Sequence, residues 1–181
     1  MTTIINGSSP SITFSDSTTQ TTAFTGSASQ ITSGTLPSAQ LPTGSVLQVV
    51  NATYATLTST TSASWVTTGL SATITPKFAT SKIVIICTTS AQNNSTSYAC
   101  NWTIFRGTVA GTNLGNSSGM CQLYGNSSAI RTTVALNSYD SPATTSAQTY
   151  TMAFNSDAVG NTAVAQSNNT VASMTLMEVA G

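Results

Sequence analysis

Side chains that could carry out chemistry are few and scattered in this 181-residue sequence. There is no histidine, which removes the residue that most often moves protons near neutral pH and excludes Ser-His-Asp and Cys-His nucleophile systems. Asp140 and Asp157 lie in turn-like segments (NSYDSP and FNSDAVG) and could meet as the carboxylate pair of a glycosidase. An Asp that hydrogen-bonds its own backbone is commoner in such turns. The sequence therefore predicts no catalytic residue, and we expect no enzyme activity.

The three cysteines, Cys87, Cys100 and Cys121, are widely spaced and form no CxxC pair. Cys87 ends the apolar run KIVIIC and Cys100 comes two residues before Trp102, so both are predicted to be small buried apolar side chains. The carboxylates that calcium prefers are not clustered, and neither a dinucleotide-binding glycine motif nor a P-loop occurs. We expect no metal site and no cofactor.

Only eight side chains are formally charged, four of each sign, which is 4% of the chain where a typical soluble domain has roughly 25%. Because nucleic acids and anionic membrane surfaces require basic patches, neither is an expected partner. The start MTTIINGSSP has no basic or apolar run, and no stretch of about 18 apolar residues occurs, so neither a signal peptide nor a membrane-spanning segment is expected. A net charge near zero favours self-association.

Residues 1–45 differ in composition from the remainder of the chain. They are rich in Ser, Thr, Gly, Gln and Pro, and such a segment cannot offset its ordering entropy alone. Ile31, Leu36, Leu41 and Val46 are spaced five residues apart, and LPSAQ is followed by the similar LPTGS. This spacing is typical of identical chains that wind about a common axis, each placing these four residues inward. The alternative is an irregular linker whose apolar residues are scattered by chance.

Residues 46–181 read as short β-strands separated by turns. Apolar residues alternate with polar ones in several runs, and no helical spacing persists. The unbroken apolar run from Ile83 to Cys87 predicts a central strand covered on both sides, by the opposing sheet and by another subunit. Nine or ten strands without crossover helices imply antiparallel pairing. The predicted fold is all-β, with an extended N-terminal stalk (1–45) followed by an antiparallel, jelly-roll-like β-sandwich head (46–181).

Several short sequence segments, called phrases below, resemble segments of tail-fibre and related virion proteins of tailed bacteriophages. ITFSDSTTQTTAF (12–24) is similar to the common ITFxDGTxQxTA, with Ser17 in place of the usual Gly after Asp16. LPTGSVLQVV (41–50), TTGLSATITPKFATSKIVI (67–85) and the closing ASMTLMEVAG resemble the distal part of such proteins, especially in marine and cyanobacterial phages. Residues from about 98 to 138 match no phrase of this family.

The resemblance implies a short tail fibre that works as a homotrimer and is part of the virion, after synthesis in the host cytoplasm. Its N-terminal residues, for which Met1, Ile4, Ile5 and Pro10 are the candidates, would attach to other phage tail or baseplate proteins. Its head would present loops to a host cell-surface polysaccharide or protein. The alternative is a capsid fibre, decoration or tail-collar protein without receptor-binding activity.

Three tyrosines in polar, turn-like settings are the receptor-binding candidates: Tyr98, Tyr124 and Tyr139. Flat aromatic faces with a polar tip suit sugar rings. Each of the three could equally pack over the edge of the core.

Because ionic groups are so scarce, we expect the assembly of the protein to respond little to salt between low and molar concentration. Salts that favour apolar burial should strengthen it slightly. Light scattering across a salt series measures this. Dissociation at raised ionic strength would contradict the expectation.

Overall fold

The computed structural model describes residues 37–94, 97–125 and 129–181, and the backbone of a short antiparallel ladder near the N-terminus. In this ladder β1 (Ile12–Thr13) pairs with β2 (Thr19–Gln20). The chain divides into two compact units, Met1–Pro37 and Ser38–Gly181. The predicted boundary at residue 46 lies within the second unit, where Gly44 N–H donates to Ala180 O at 2.8 Å.

The unit from Ser38 to Gly181 is all-β, as predicted, and its described residues form no α-helix. Short 3-10 turns occur at Ser38–Gln40 and Ser167–Asn169. VLQVV and the following Asn-Ala-Thr-Tyr form one continuous strand. The strands are β3 (Val46–Tyr54), β4 (Thr58–Thr60), β5 (Val66–Ile74), β6 (Lys82–Asn93), β7 (Ala99–Arg106), β8 (Thr112–Asn113), β9 (Cys121–Tyr124), β10 (Ile130–Asp140), β11 (Gln148–Ser156), β12 (Ala163–Ala165) and β13 (Ala172–Val179).

The strands form two antiparallel sheets. In the first sheet β6 pairs with β10 on one side. On its other side β6 pairs with β12 and β13, which follow one another along it. β12 in turn pairs with β4, and β13 pairs with β3. In the second sheet β11 lies between β5 and β7, and β7 also pairs with β8 and β9. Counting β3/β4, β12/β13 and β8/β9 each as one interrupted strand gives four strands per sheet. Their order follows the jelly-roll pattern of a β-sandwich.

The interruptions of two neighbouring strands lie side by side in the first sheet. Between β12 and β13, Gln166 is buried with a positive φ of 51°, and its N–H donates to the Thr89 hydroxyl at 3.2 Å. Between β3 and β4, Leu57 N–H donates to Asn169 Oδ1 at 3.1 Å. The two breaks are therefore connected by a hydrogen bond, which keeps the strands in register on both sides of the gap.

The core lies between the sheets and is built by the alternating residues that the sequence pattern indicated. Side chains of β6, β10 and β13 meet those of β5, β7 and β11 in one cluster. Trp102, Tyr150 and Phe154 are its largest completely buried side chains. Burying side chains of this size contributes roughly 1.5–3 kcal/mol each, so this interface is the main source of stability.

On β7 and β11 the outer face of the second sheet is covered by the chain itself, whereas Ser71 and Thr73 on β5 are exposed. Thr103, Phe105 and Ala153 point away from the core, yet all three are buried. The Trp65 ring stands edge-on to Phe105, with ring centroids 6.1 Å apart. Asn155 Nδ2 donates to Ala63 O at 2.9 Å and fixes the same covering segment.

The outer face of the first sheet is different. The prediction that the run from Ile83 to Cys87 is a central strand is confirmed, and Ile83, Ile85 and Cys87 face the core. Val84 and Ile86 point outward, however, and Ile86 is 42% exposed. Within the unit Ser38–Gly181, β6 was expected to be covered on both faces. The opposing sheet covers its inner face, and its outer face leaves Ile86 exposed.

Glu178 is a charged residue whose side chain points into the sandwich and is completely buried. Its carboxylate accepts hydrogen bonds from Gln48 Nε2 at 2.6 Å and from Lys77 N–H at 2.7 Å. Burial alone would raise the pKa of Glu178, but the donors around it, Ser81, Gln48 and the Lys77 backbone among them, outweigh this and lower the pKa. The carboxylate thus links β13, β3 and the turn that follows β5.

Glu178→Gln is expected to reduce the free energy of unfolding by about 1–3 kcal/mol, because the amide NH₂ would face hydrogen-bond donors. Folding lowers the pKa of Glu178. The ionised carboxylate therefore stabilises the fold completely above the pKa that Glu178 has in the unfolded chain, and this stabilisation disappears as the pH falls through the lower pKa of the folded state. Chemical denaturation between about pH 6 and pH 3 should therefore show the advantage of the wild type shrinking. If the difference in the free energy of unfolding between the wild type and Glu178→Gln stayed constant over this pH range, the stabilising role of the ionised carboxylate would be contradicted.

Candidate functional site

Six of the residues predicted for attachment and for the common axis lie outside the described residues: Met1, Ile4, Ile5, Pro10, Ile31 and Leu36. Of the other two axis candidates, Val46 begins β3 and is 54% exposed, whereas Leu41 is half-buried. Leu41 lines an open cavity of about 180 Å³ together with Phe78 and the terminal Ala180 and Gly181. The structure of this unit therefore places Leu41 against the C-terminus of its own chain. The role of these residues at a common axis stays a prediction.

Tyr98 and Tyr124 lie together at one end of the sandwich. Tyr98 precedes β7 and Tyr124 ends β9, where it is the register partner of Ala99. Both are more than half exposed, at 52% and 57%. The Tyr124 hydroxyl donates to Ser97 O at 2.8 Å, so its ring is held in place. Below them the buried Asn93 donates through Nδ2 to the carbonyl oxygens of Tyr98 and Leu123, each at 2.8 Å.

Tyr139 does not belong to this end. It is the register partner of Val84, near the start of β6, whereas Asn93 at the end of β6 holds Tyr98. Nine residues of strand separate the two positions, which is roughly 30 Å. Tyr139 is 64% exposed on the outer face of the first sheet. The structure therefore brings two of the three receptor candidates together and places the third at the opposite end of the molecule.

The two carboxylates considered for glycosidase chemistry are also far apart. Asp157 Oδ1 accepts the N–H of Ala99 at one end of β7, at 2.9 Å. Asp140 accepts from Arg106 at the other end of β7, at 3.1 and 3.2 Å, and from the Tyr150 hydroxyl at 2.8 Å. Seven residues of strand, roughly 23 Å, exceed the separation of about 5–9.5 Å that a carboxylate pair needs. Each Asp instead joins neighbouring segments of the sandwich.

A shallow groove lined by hydroxyl groups lies on the outer face of the first sheet, toward the Tyr98 end. Its volume is about 330 Å³. Beside it, Gln92 Oε1 accepts hydrogen bonds from Arg131 Nε at 2.7 Å and from the Ser167 hydroxyl at 3.1 Å. The sequence pattern did not indicate this surface, because its residues come from three separate segments of a chain full of Ser and Thr. The groove is lined by Thr88, Thr89, Ser90, Thr133, Thr170 and Val171.

Cys87 and Cys100 are buried free thiols, as predicted, and Cys121 is half-buried. Burial raises the pKa of Cys87 to about 12 and that of Cys100 to about 11. It raises the pKa of Cys121 as well. Since the thiolate is the reactive form, none of the three has the lowered pKa of a nucleophilic cysteine.

Native protein treated with iodoacetamide at pH 8 should be modified slowly at Cys121 and hardly at all at Cys87 and Cys100. All three should react after denaturation, which serves as the control. Peptide mass spectrometry identifies the modified residues. Rapid native labelling of Cys87 or Cys100 would contradict the buried, protonated state.

Among the described residues, no group of three His, Cys, Asp or Glu side chains could hold a metal ion. In the same part of the chain, no helix is long and apolar enough to cross a membrane.

Comparison with known proteins finds similarity only among solved structures, and it is distant. No family model matches the chain, and no curated protein matches it. A chain in the solved structure of infectious bursal disease virus, Gx strain, superposes with a TM-score of 0.39 and 12% sequence identity. The match covers 74% of this chain and 37% of the viral chain, so this chain spans well under half of that one. A similarity at this level carries no information about function.

Proposed function

We propose that this protein is a structural subunit of a tailed-bacteriophage particle, a short homotrimeric tail fibre whose β-sandwich head adsorbs to the host surface. The observation that carries the proposal is the pair of exposed tyrosines, Tyr98 and Tyr124, at one end of a jelly-roll sandwich. Jelly rolls occur in viral structural and lectin domains. Since a fold alone does not define a function, the arrangement at this end is what points to binding.

The phrases that resemble phage fibre proteins are grouped in the structure. Three of them, in residues 41–50, 67–85 and 172–181, contribute to β3, β6 and β13 and to the facing β5. In the first sheet β13 lies between β3 and β6 and pairs with both. Residues 98–138, which match no such phrase, supply Tyr98, Tyr124 and the strands around them. A host-specific fibre requires a framework that it shares with its family and an end that is peculiar to it.

The tyrosine pair has features of a preorganised binding surface. The Tyr124 ring is fixed through its hydroxyl, so little conformational freedom remains to be lost when a ligand binds. Flat aromatic faces beside amide groups suit the rings of a polysaccharide. One such surface would bind weakly, and three copies in a trimer would multiply the effect through their high effective concentration.

Replacing both Tyr98 and Tyr124 with Ala should reduce adsorption of the purified fibre to host cells at least about tenfold, by analogy with the roughly 1–3 kcal/mol of an aromatic stacking contact. Ser71→Ala, an exposed change on β5, is the control and should bind like the wild type. Circular dichroism and light scattering confirm that the variants fold and assemble. Unchanged adsorption of the double variant would contradict the role in receptor binding.

A structural role without a receptor, as a capsid decoration or tail-collar protein, is the second candidate. It is favoured by the outward apolar residues Val84 and Ile86, which suit contacts with other proteins. Labelling the subunit on intact particles separates the two roles. Label at the tail end supports adsorption, and label on the capsid shell supports decoration.

A further inference from the structure

The outer face of the first sheet carries a row of apolar side chains that crosses all four strands. The register pairs Tyr139 with Val84, Val84 with Met177, and Met177 with Val49. The four side chains therefore stand next to one another on the same side of the sheet. Both end residues are well exposed, Tyr139 at 64% and Val49 at 58%.

Apolar residues also stand in the rows on either side. Val179 pairs with Val46 on one side, and Ile86 follows Val84 on the other. Val46 and Ile86 are exposed at 54% and 42%. We call this surface the apolar patch, and its residues are Val46, Val49, Val84, Ile86, Tyr139, Met177 and Val179.

The patch is bounded by polar residues toward the Tyr98 end of the same face. The register partners of Ile86 are Asn137 and Thr175, and beyond them stand Thr88, Ser90, Thr133 and Ser173, which belong to or adjoin the hydroxyl groove. The apolar residues of this face are thus concentrated at one end. A face meant for water alone would not separate the two kinds of residue in this way.

We propose that the apolar patch is covered by other copies of this chain, and that it is the contact surface between the heads in the assembled protein. This inference rests on the proposed homotrimer and identifies its interface. The corresponding face of the second sheet is covered on β7 and β11 and is polar on β5, where Ser71 and Thr73 are exposed, so the first sheet supplies the apolar free face.

Charge supports a copy of the same chain as the occupant. None of the seven patch residues is charged, and the one charged neighbour in their rows is Lys82, the register partner of Val179, whose Nζ donates to the Ser141 hydroxyl at 2.9 Å. Identical faces with many like charges repel one another, whereas here Lys82 alone would contribute to such repulsion. A charged or strongly polar partner would leave its own groups unpaired against it.

The size of the patch explains why the stalk would also be needed. Four strands about 4.8 Å apart and three rows about 6.8 Å apart give a face of roughly 20 Å by 20 Å, or about 400 Å². A stable two-protein interface needs about 800 Å² on each partner. Head contacts of this size hold together when a second connection, here the proposed association of the N-terminal segments, keeps the copies close.

The test is the double variant Val49→Asp and Ile86→Asp in the full chain. Its matched control is Thr53→Asp and Ser90→Asp, which places the same charges on the same two strands, facing the same way, four residues further along. Light scattering over a concentration series gives the dissociation constant of the assembly, and circular dichroism confirms folding. Should the Asp variant fail to fold, Val49→Thr with Ile86→Thr replaces it.

We expect the patch variant to raise the dissociation constant at least about a hundredfold, since a carboxylate buried against apolar surface has no partner, while the control stays within about threefold of the wild type. If the patch variant forms an unchanged trimer, the proposal that the patch is the interface is wrong, and the proposed fibre function is unaffected. If the trimer is unchanged and residues 1–37 become more sensitive to protease, the chain's own N-terminal segment covers the patch. This result also contradicts the proposed interface. A wild type that is monomeric at all concentrations would overturn both the patch and the trimer.

Discussion

The scarcity of ionic groups is the constraint on which the rest of this structure depends. Each of the seven charged side chains in the described part of the chain has a partner within that chain. A single pair of opposite charges, Arg106 and Asp140, forms a salt bridge there. The remaining five bind neutral groups: Lys77 binds Leu47 O, Lys82 binds Ser141, Arg131 binds Gln92, Asp157 binds Ala99 N–H, and Glu178 binds Gln48. Stability and association must therefore come from apolar burial and neutral hydrogen bonds.

Alternation of apolar and polar residues predicted the core because each sheet has one face against the other. Cys100, Trp102 and Ile104 are completely buried, as their spacing indicated. Thr103 lies on the opposite face of the same strand and is also buried, with its hydroxyl donating to Asn113 Oδ1 at 2.6 Å, and the neighbouring Phe105 packs against Trp65, about 40 residues away. Burial by a separate segment leaves no mark in the local pattern of a strand.

The candidate site could be predicted only in part, for a similar reason. Tyr98, Tyr124 and Tyr139 have similar local sequences, and nothing in them shows at which end of the sandwich each will lie. The pairing of β10 along the full length of β6 decides this, and it places Tyr139 beside Val84. Glu178 likewise resembles an exposed charge in the sequence, yet the donors that keep its carboxylate buried come from Gln48 and Lys77, more than 100 residues away. Register and long-range contacts are what the sequence pattern leaves open.

Together these features describe a sandwich with a division of surfaces: an aromatic end, for which we propose receptor binding, a hydroxyl groove on one sheet face, and an apolar patch near the opposite end. We propose that copies of the chain meet through the apolar patch and leave the tyrosine end free, and an electron cryo-microscopy map of the assembled protein would show whether they do. We expect β3, β6, β10 and β13 to present their outer face to a neighbouring copy, with Tyr98 and Tyr124 open to solvent. A map in which that sheet face is bare, or in which the tyrosine pair is buried between copies, would contradict it.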